Sequence, residues 1–341
     1  MRPLSQLLSL GELEREAVVD LVRLASRLEE HPEPRALAGK ILGLLFLDPS
    51  LRTLASMQAA MSRLGGESFV VSSGAGSWKL ETRPGVVMDG DRSEHVREAI
   101  PVLSGYCDAL AVRAFATGTD LASDLADTSF REMHALATVP FVNLESAIDH
   151  PCQALADWKT LDELAIPAHG KLVLSWANHP KALPLAVPAA VSEMAALRGM
   201  EVVVLRPEPF AFPEALRGRI TRAAARGGGS FRESAERDEA LAGAQVIYAK
   251  SWSSPARYGD ASGERELRRE LASWCVDESW FAGTDDARLM HCLPVRRNVV
   301  VSDAVLDSPR SVVVRQAHNR LWVQMAVLHR LLAGARREEA A

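Results

Sequence analysis

Three stretches of this 341-residue chain place polar side chains beside turns where free backbone groups could join them. Ser50-Leu51-Arg52-Thr53 sits between an apolar run and a helical pattern. Unpaired N–H groups at a helix start attract anions. The hydroxyls of Ser50 and Thr53 would add donors, and Arg52 a forked cation suited to phosphate. A helix cap with a solvent-facing arginine accounts for these four residues equally well. His150-Pro151-Cys152-Gln153 brings an imidazole and an amide to one helix start, where a lone histidine more often caps or packs. His291-Cys292-Leu293-Pro294 sets a thiol beside an imidazole. Neighbours on a strand face opposite ways, which favours a buried, inert Cys292 and gives more weight to the backbone carbonyls near Leu293. Arg113, Glu145, His179 and Lys250 each follow or end a further apolar run.

Other chemistries find no support. His150, His179 and His291 could hold a metal only if the fold gathered them, because no ligand spacing links them. The four cysteines (Cys107, Cys152, Cys275, Cys292) form no CxxC pair and suit neither zinc nor a disulfide framework. Gly74-Ala75-Gly76 lacks the third glycine and preceding strand of a dinucleotide fingerprint, and there is no GxxxxGK[ST] loop. No cofactor is implied.

The elements that must carry these residues alternate. Ser9 and Glu12 read as a capping box for a helix carrying Leu13, Ala17, Val18, Leu21 and Leu24, which ends near His31-Pro32-Glu33-Pro34. Lys40 to Leu47 is a buried strand, Thr53 to Leu64 a helix, and Ser72 to Asp91 a long loop of the kind that is functional or disordered. A helix over Val96 to Ser104 and strands over Ala109 to Val112 and Val139 to Asn143 follow. A crossing helix begins at His150. Further strands are expected at Leu172–Trp176, Val202–Leu205, Val246–Ala249, Leu289–Cys292 and Val312–Val314, then a final helix over Leu321 to Leu332 and a charged tail from Arg336. This alternation predicts an α/β chain of two doubly wound parallel-sheet domains joined by crossing helices. Ligands of such sheets bind beyond the carboxyl ends of strands, where the residues above fall.

Composition sets the remaining bounds. There are 39 Lys+Arg against 44 Asp+Glu, a formal charge of −5, with 48% hydrophobic and 24% charged residues. These values exclude disordered and coiled-coil classes, and the length favours two domains. A mildly acidic balance argues against nucleic acid or an anionic membrane as partner. The start lacks a signal peptide, and no apolar run approaches the ~20 residues of a membrane span. A reducing cytoplasm is the expected location.

In combination, these pieces resemble the carbamoyltransferase family, which includes aspartate and ornithine carbamoyltransferases. The matches are Ser50-Leu51-Arg52-Thr53 for its Ser-x-Arg-Thr, Arg113 after the next strand, His150-Pro151-Cys152-Gln153 for His-Pro-x-Gln, and His291-Cys292-Leu293-Pro294 for His-Cys-Leu-Pro. Leu54 departs from the family, where most members have a second arginine that supports the loop. The resemblance implies a carbamoyl phosphate-binding domain over 1–150, an acylornithine-binding domain over 151–319, and a C-terminal helix, 320–335, packed back on the first.

Within the family, Trp78-Lys79-Leu80-Glu81-Thr82, Met88-Asp89-Gly90-Asp91 and Tyr248-Ala249-Lys250-Ser251-Trp252 are similar to the acylornithine branch. Ordinary ornithine enzymes have an aspartate at the Lys250 position, which pairs with the α-ammonium. A lysine would repel that group, whereas an acylated nitrogen is neutral and leaves Lys250 free to attract the α-carboxylate. Acetyl-specific members place a glutamate at the Ser93 position and a lysine at Val300, so the resemblance favours N-succinylornithine, with N-acetylornithine as the alternative. It implies that Ser50, Leu51, Arg52, Thr53, Gln153, Cys292 and Leu293 hold carbamoyl phosphate, joined by Trp78 from a neighbouring subunit of a trimer. Arg113, His150 and Arg320 are implied to act catalytically at the carbonyl oxygen. Ser93, Glu145, His179, Lys250 and Arg296 are implied to bind the acylornithine. A catalytically silent binding protein on the same fold is a second alternative, raised by Leu54 and opposed by Arg52, Arg113, His150 and Arg320.

Overall fold

The structure, a computed structural model, describes residues 4–333. The charged tail from Arg336 and the last residues of the expected 320–335 helix lie outside them. The first half builds β1 (Gln6–Leu7), β2 (Ile41–Phe46), β3 (Glu67–Ser72), β4 (Lys79–Glu81), β5 (Arg92–His95), β6 (Ala109–Arg113) and β7 (Phe141–Glu145). Its helices are α1 (Arg15–Glu30), α2 (Leu51–Arg63), α3 (Val96–Ser104), α4 (Leu121–Ala126) and α5 (Thr128–Leu136). The second half follows α6 (Pro151–Glu163) with β8 (Lys171–Trp176), α7 (Ala186–Arg198), β9 (Glu201–Leu205), α8 (Glu214–Gly227), β10 (Ser230–Ser234), α9 (Arg237–Leu241), β11 (Val246–Lys250), α10 (Ala261–Glu270), β12 (Arg288–Met290), α11 (Asp303–Leu306) and α12 (Val313–Leu332).

Two five-stranded parallel sheets result, in the orders β1-β7-β6-β2-β3 and β10-β9-β8-β11-β12. Each is buried on both faces, which is why its central strands are unbroken apolar runs. Along β2, Leu42, Leu44 and Phe46 enter a core with α1, α2 and α12, while Leu45 enters a second core with α3 and α5. Along β8, Leu172, Leu174 and Trp176 continue the first of these cores against α6, α7 and α8, and Val173 faces a third with α9 and α11. One core thus runs through both sheets, carried by α6 and α12. At the crossing of α7 and α8, a Cβ on Gly227 would lie 2.2 Å from the Leu197 carbonyl, so only glycine permits that approach.

Both sheets reverse their strand order at one point, between β2 and β6 in the first and between β8 and β11 in the second. A ligand crevice opens at the carboxyl ends there. Those ends carry Phe46 to Ser50, Arg113, Trp176 to His179, and Lys250.

Several local expectations are corrected. Ser9 does not start the first helix: its Oγ accepts from Gly11 N on a single 3-10 turn, and α1 begins at Arg15 after Glu14. Ser72 to Asp91 is not a plain loop, since β4 pairs with β5. The strand expected at Val312–Val314 is the start of α12, so the final helix begins at Val313 rather than Leu321. Only Ser311 runs beside Leu289, as an isolated bridge. The strand expected to reach Cys292 ends at Met290.

Candidate active site

The loop after β2 is tied to the one after β6, because Phe115 N donates to Asp48 Oδ2 (2.8 Å). Ser50 is the N-cap of α2: its Oγ accepts from Thr53 N (3.3 Å) and its hydroxyl donates to Thr53 Oγ1 (3.0 Å). Thr53 is fully buried and accepts a further bond from Arg320 Nη2 (2.7 Å). Leu51 points outward at 81% exposure and offers only its backbone to this loop. Arg52 is not solvent-facing: burial lowers its pKa, and its Nε has no partner.

Because α12 starts at Val313, Arg320 lies within the helix, buried and aimed at the start of α2. Arg113, the last residue of β6, is also buried; its Nη1 donates to Glu145 Oε2 at the end of β7, and its guanidinium lies 4.3 Å from the Phe115 ring centre. His150 precedes α6 without a side-chain cap bond, so the capping alternative falls. Its Nε2 is 3.5 Å from Glu145 Oε2. Burial, reinforced by Arg320, Arg113, Lys250 and Arg52, drives its pKa well below the usual imidazole value. His150 is therefore a neutral ring among four cations, and Glu145 is the carboxylate beside it.

Gln153 is oriented by a network that sequence reasoning missed. Its Nε2 donates to Asp157 Oδ1 (2.7 Å), one turn along α6. Gln316 Nε2 on α12 donates to the same oxygen (2.7 Å) and to Tyr248 Oη (3.1 Å), while Gln316 Oε1 accepts from His291 N (2.9 Å). The spacing alone was visible: Gln153 and Asp157 are four apart on α6, and Gln316 and Arg320 four apart on α12. With its amine engaged, Gln153 turns its Oε1 away, buried and without a partner.

From the second sheet, His291 Nδ1 accepts from Leu293 N (2.8 Å), which shapes the turn where Leu293 takes a positive φ of 56° and a cis peptide bond joins it to Pro294. A leucine held in that left-handed region is strained. Cys292 is buried and its thiol pKa raised, chiefly by burial, which leaves it protonated and unreactive. Arg296 Nε donates to His179 Nε2 (3.1 Å), and burial followed by nearby cations brings His179 down to about 4. Lys250 ends β11 close enough to act on His150, His291 and Cys292. Among the described residues no cluster of His, Cys, Asp or Glu could hold a metal ion.

Two expected residues stand apart. Trp78 is 58% exposed and donates through Nε1 to Glu94 Oε2 (2.7 Å). Ser93 is exposed on β5, and since α3 begins at Val96 with His95 as its N-cap, Ser93 caps no helix. Neither bonds to the cluster around Arg52, His150 and Arg320. Among nearby and loop cations, Lys79 pairs with Asp91, and Arg297 with Asp303 and Asp307.

Two doubly wound domains whose strand ends converge on buried arginines, a neutral histidine and an oriented amide define an enzyme that binds an anionic group donor. Comparison with known proteins gives that class a family. Residues 5–163 match the carbamoyl-P binding domain of aspartate/ornithine carbamoyltransferases, and residues 187–331 match their Asp/Orn binding domain. The chain is 38% identical over 304 residues to the N-acetylornithine carbamoyltransferase of Xanthomonas campestris, covering 88% of this chain and 89% of the relative. It is also 38% identical over 296 residues to the N-succinylornithine carbamoyltransferase of Bacteroides thetaiotaomicron, covering 86% and 88%. A crystal structure of acetylornithine transcarbamylase complexed with acetylcitrulline superposes with a TM-score of 0.92 at 35% identity, over 96% of this chain and 99% of that one. A glutamate-to-serine mutant of that type, complexed with carbamyl phosphate and N-succinyl-L-norvaline, gives 0.91 at 36% identity, over 95% and 98%. The chain belongs to the aspartate/ornithine carbamoyltransferase family, in its acylornithine branch, and is a carbamoyltransferase.

Proposed function

We propose that the enzyme transfers the carbamoyl group of carbamoyl phosphate to the δ-amine of N-succinyl-L-ornithine, releasing N-succinyl-L-citrulline and phosphate. One observation carries the assignment of the site: Arg52 Nε, Arg113 Nε, Arg320 Nε, His150 Nδ1 and Gln153 Oε1 are all buried without a partner. Native proteins seldom leave such atoms unpaired. Three are cationic donors, suited to a phosphate and a carbonyl oxygen gaining charge; the amide oxygen suits an NH₂ donor. Carbamoyl phosphate offers all of these.

Ser50, Arg52 and Thr53 then grip the phosphate with the N-terminus of α2. Arg113, His150 and Arg320 stabilise the carbonyl oxygen as the amine attacks, and Gln153 with the Leu293 carbonyl holds the carbamoyl NH₂. Alignment and charge stabilisation suffice, without a protein nucleophile. The C–O bond to phosphate breaks as the N–C bond forms, and the leaving phosphate accepts the amine's proton. Glu145, His179, Lys250 and Arg296 bind the acylornithine. Residues 1–150 supply most of the carbamoyl phosphate site, joined by Gln153 and Leu293; residues 151–319 supply most of the acceptor site, joined by Glu145; and α12 returns to the first domain with Arg320.

Overall identity does not separate the two acyl classes, both at 38%. Ser93 favours succinyl, as does the succinylnorvaline complex of the mutant in which a serine replaces a glutamate. Of three candidate cations for the succinyl carboxylate, Lys79, Lys181 and Arg297, only Lys181 is in no ion pair among the described residues. Phosphate release from carbamoyl phosphate, measured with ornithine, N-acetylornithine and N-succinylornithine in turn, tests the reading. Preference for N-acetylornithine would remove the succinyl assignment, and no release with any acceptor would point to a silent binding protein.

A further inference from the structure

The side chain of His150 is poorly held by its own contacts: Nδ1 has no partner and Nε2 lies 3.5 Å from Glu145. Its place is therefore set by the backbone that delivers it, the turn from Ser146 to Asp149, in which Ser146 N donates to Asp149 O (2.9 Å). That turn follows the first sheet and is held from both halves: Ala147 N donates to Asp127 Oδ1 (3.2 Å), between α4 and α5, and a helix of the second half supplies the rest. Arg219 on α8 donates through Nη1 to the Ile148 carbonyl (3.2 Å) and through Nη2 to Asp149 Oδ2. The same guanidinium is fixed from behind by Glu193 on α7, Nε to Oε1 (2.9 Å) and Nη2 to Oε2 (2.5 Å), and by Ser9 Oγ (3.2 Å). Asp149 and Glu193 are each only 3% exposed, so this is a buried cluster of two carboxylates around one guanidinium.

We propose that Arg219 is a positioning residue for His150, holding the Ile148–Asp149 peptide with a guanidinium anchored by Glu193 on α7. The fork reaches five acceptor atoms, the Ile148 carbonyl, Asp149 Oδ2, both Glu193 oxygens and Ser9 Oγ, whereas a lysine ammonium has three N–H donors, all on one atom. Arg219 touches neither reacting group, and its effect reaches the chemistry through the imidazole. The phosphate grip at Ser50–Thr53 lies on another element and is untouched.

This inference rests on the proposed action of His150 at the carbonyl, and a double-mutant cycle separates the two. Arg219→Lys keeps the charge that the two carboxylates need, which protects the fold where Arg219→Ala would leave them uncompensated. Glu193→Gln, which loosens the anchor without altering the turn, is a second variant should the lysine substitution fail to fold. Arg219→Lys should lower kcat by about tenfold or more while KM for carbamoyl phosphate changes by less than about twofold, with Glu193→Gln giving a smaller loss in the same direction. In a His150→Asn background, Arg219→Lys should cost nothing further, because the group it positions is gone. An equal fold-loss in both backgrounds, or parental kcat in Arg219→Lys, would overturn the positioning role while the His150 assignment stood. Parental activity in His150→Asn alone would overturn the site reading itself, and the positioning role with it.

Discussion

At the scale of single residues, two side chains make the proposed chemistry measurable. Arg52 is half-buried with an unpartnered Nε beside the cap of α2. Arg52→Ala should weaken carbamoyl phosphate binding by on the order of 1.5–3 kcal/mol, the value of a charge-assisted contact. Calorimetric titration checks this, and parental affinity in the variant would dismiss the loop as the phosphate site. Ser93 bears on the acyl group. A glutamate there would set a like charge near a succinyl carboxylate, and two charges about 4 Å apart at a dielectric near 20 repel by roughly 4 kcal/mol, an upper guide. Because β5 continues to His95 and Ser93 caps nothing, Ser93→Glu should leave stability unchanged. It should depress the specificity constant for N-succinylornithine far more than that for N-acetylornithine. An unchanged ratio would remove Ser93 from the specificity argument.

At the scale of elements, α6 and α12 position much of the site, and their junction is polar where the surrounding core is apolar. Burial raises Asp157 to about 7 despite the bonds from Gln153 and Gln316. An unfolded aspartate titrates near 3.9. Between these values the folded chain binds the extra proton, so this group's contribution to stability falls as pH rises from about 4 to about 7. Asp157→Asn, a neutral mimic of the acid, should flatten that part of the stability–pH curve in urea unfolding; an unaltered slope would mean that Asp157 is ionised in the fold. The same elements show what sequence could and could not reveal. Central strands such as β2 and β8 were legible because burial on both faces makes them apolar throughout. Edge strands β3 and β10, half-buried and polar in part, carry no such signal. Val312–Val314 read as a strand because a short apolar run has no period of its own. The strand-end residues of the site were placed by the rule for doubly wound sheets, whereas Asp157, Gln316 and Arg219 were missed, since polar residues inside helices look like solvated faces until tertiary contacts bury them.

At the scale of the whole molecule, the open question is where Trp78 works. Within its own chain the indole donates to Glu94 and is mostly exposed, and nearby Val87 is 82% exposed. Apolar side chains presented in this way on one loop suit a neighbouring copy. If the assembly is the proposed trimer, each site pairs Arg52 of one chain with Trp78 of the next, and the cyclic arrangement makes every site equivalent. Trp78→Ala and Arg52→Ala homotrimers should then each be impaired at all sites. After dissociation and random reassembly at equal amounts, a site is intact when a Trp78→Ala chain supplies Arg52 and its Arg52→Ala neighbour supplies Trp78. That combination forms at about a quarter of sites, so roughly a quarter of the unsubstituted enzyme's activity should return from two impaired parents. A tryptophan packed for its own loop's sake predicts no recovery, since each chain would then keep its own defect. Activity staying at the parents' level after verified subunit exchange, or a monomer by light scattering, would place Trp78 outside any shared site.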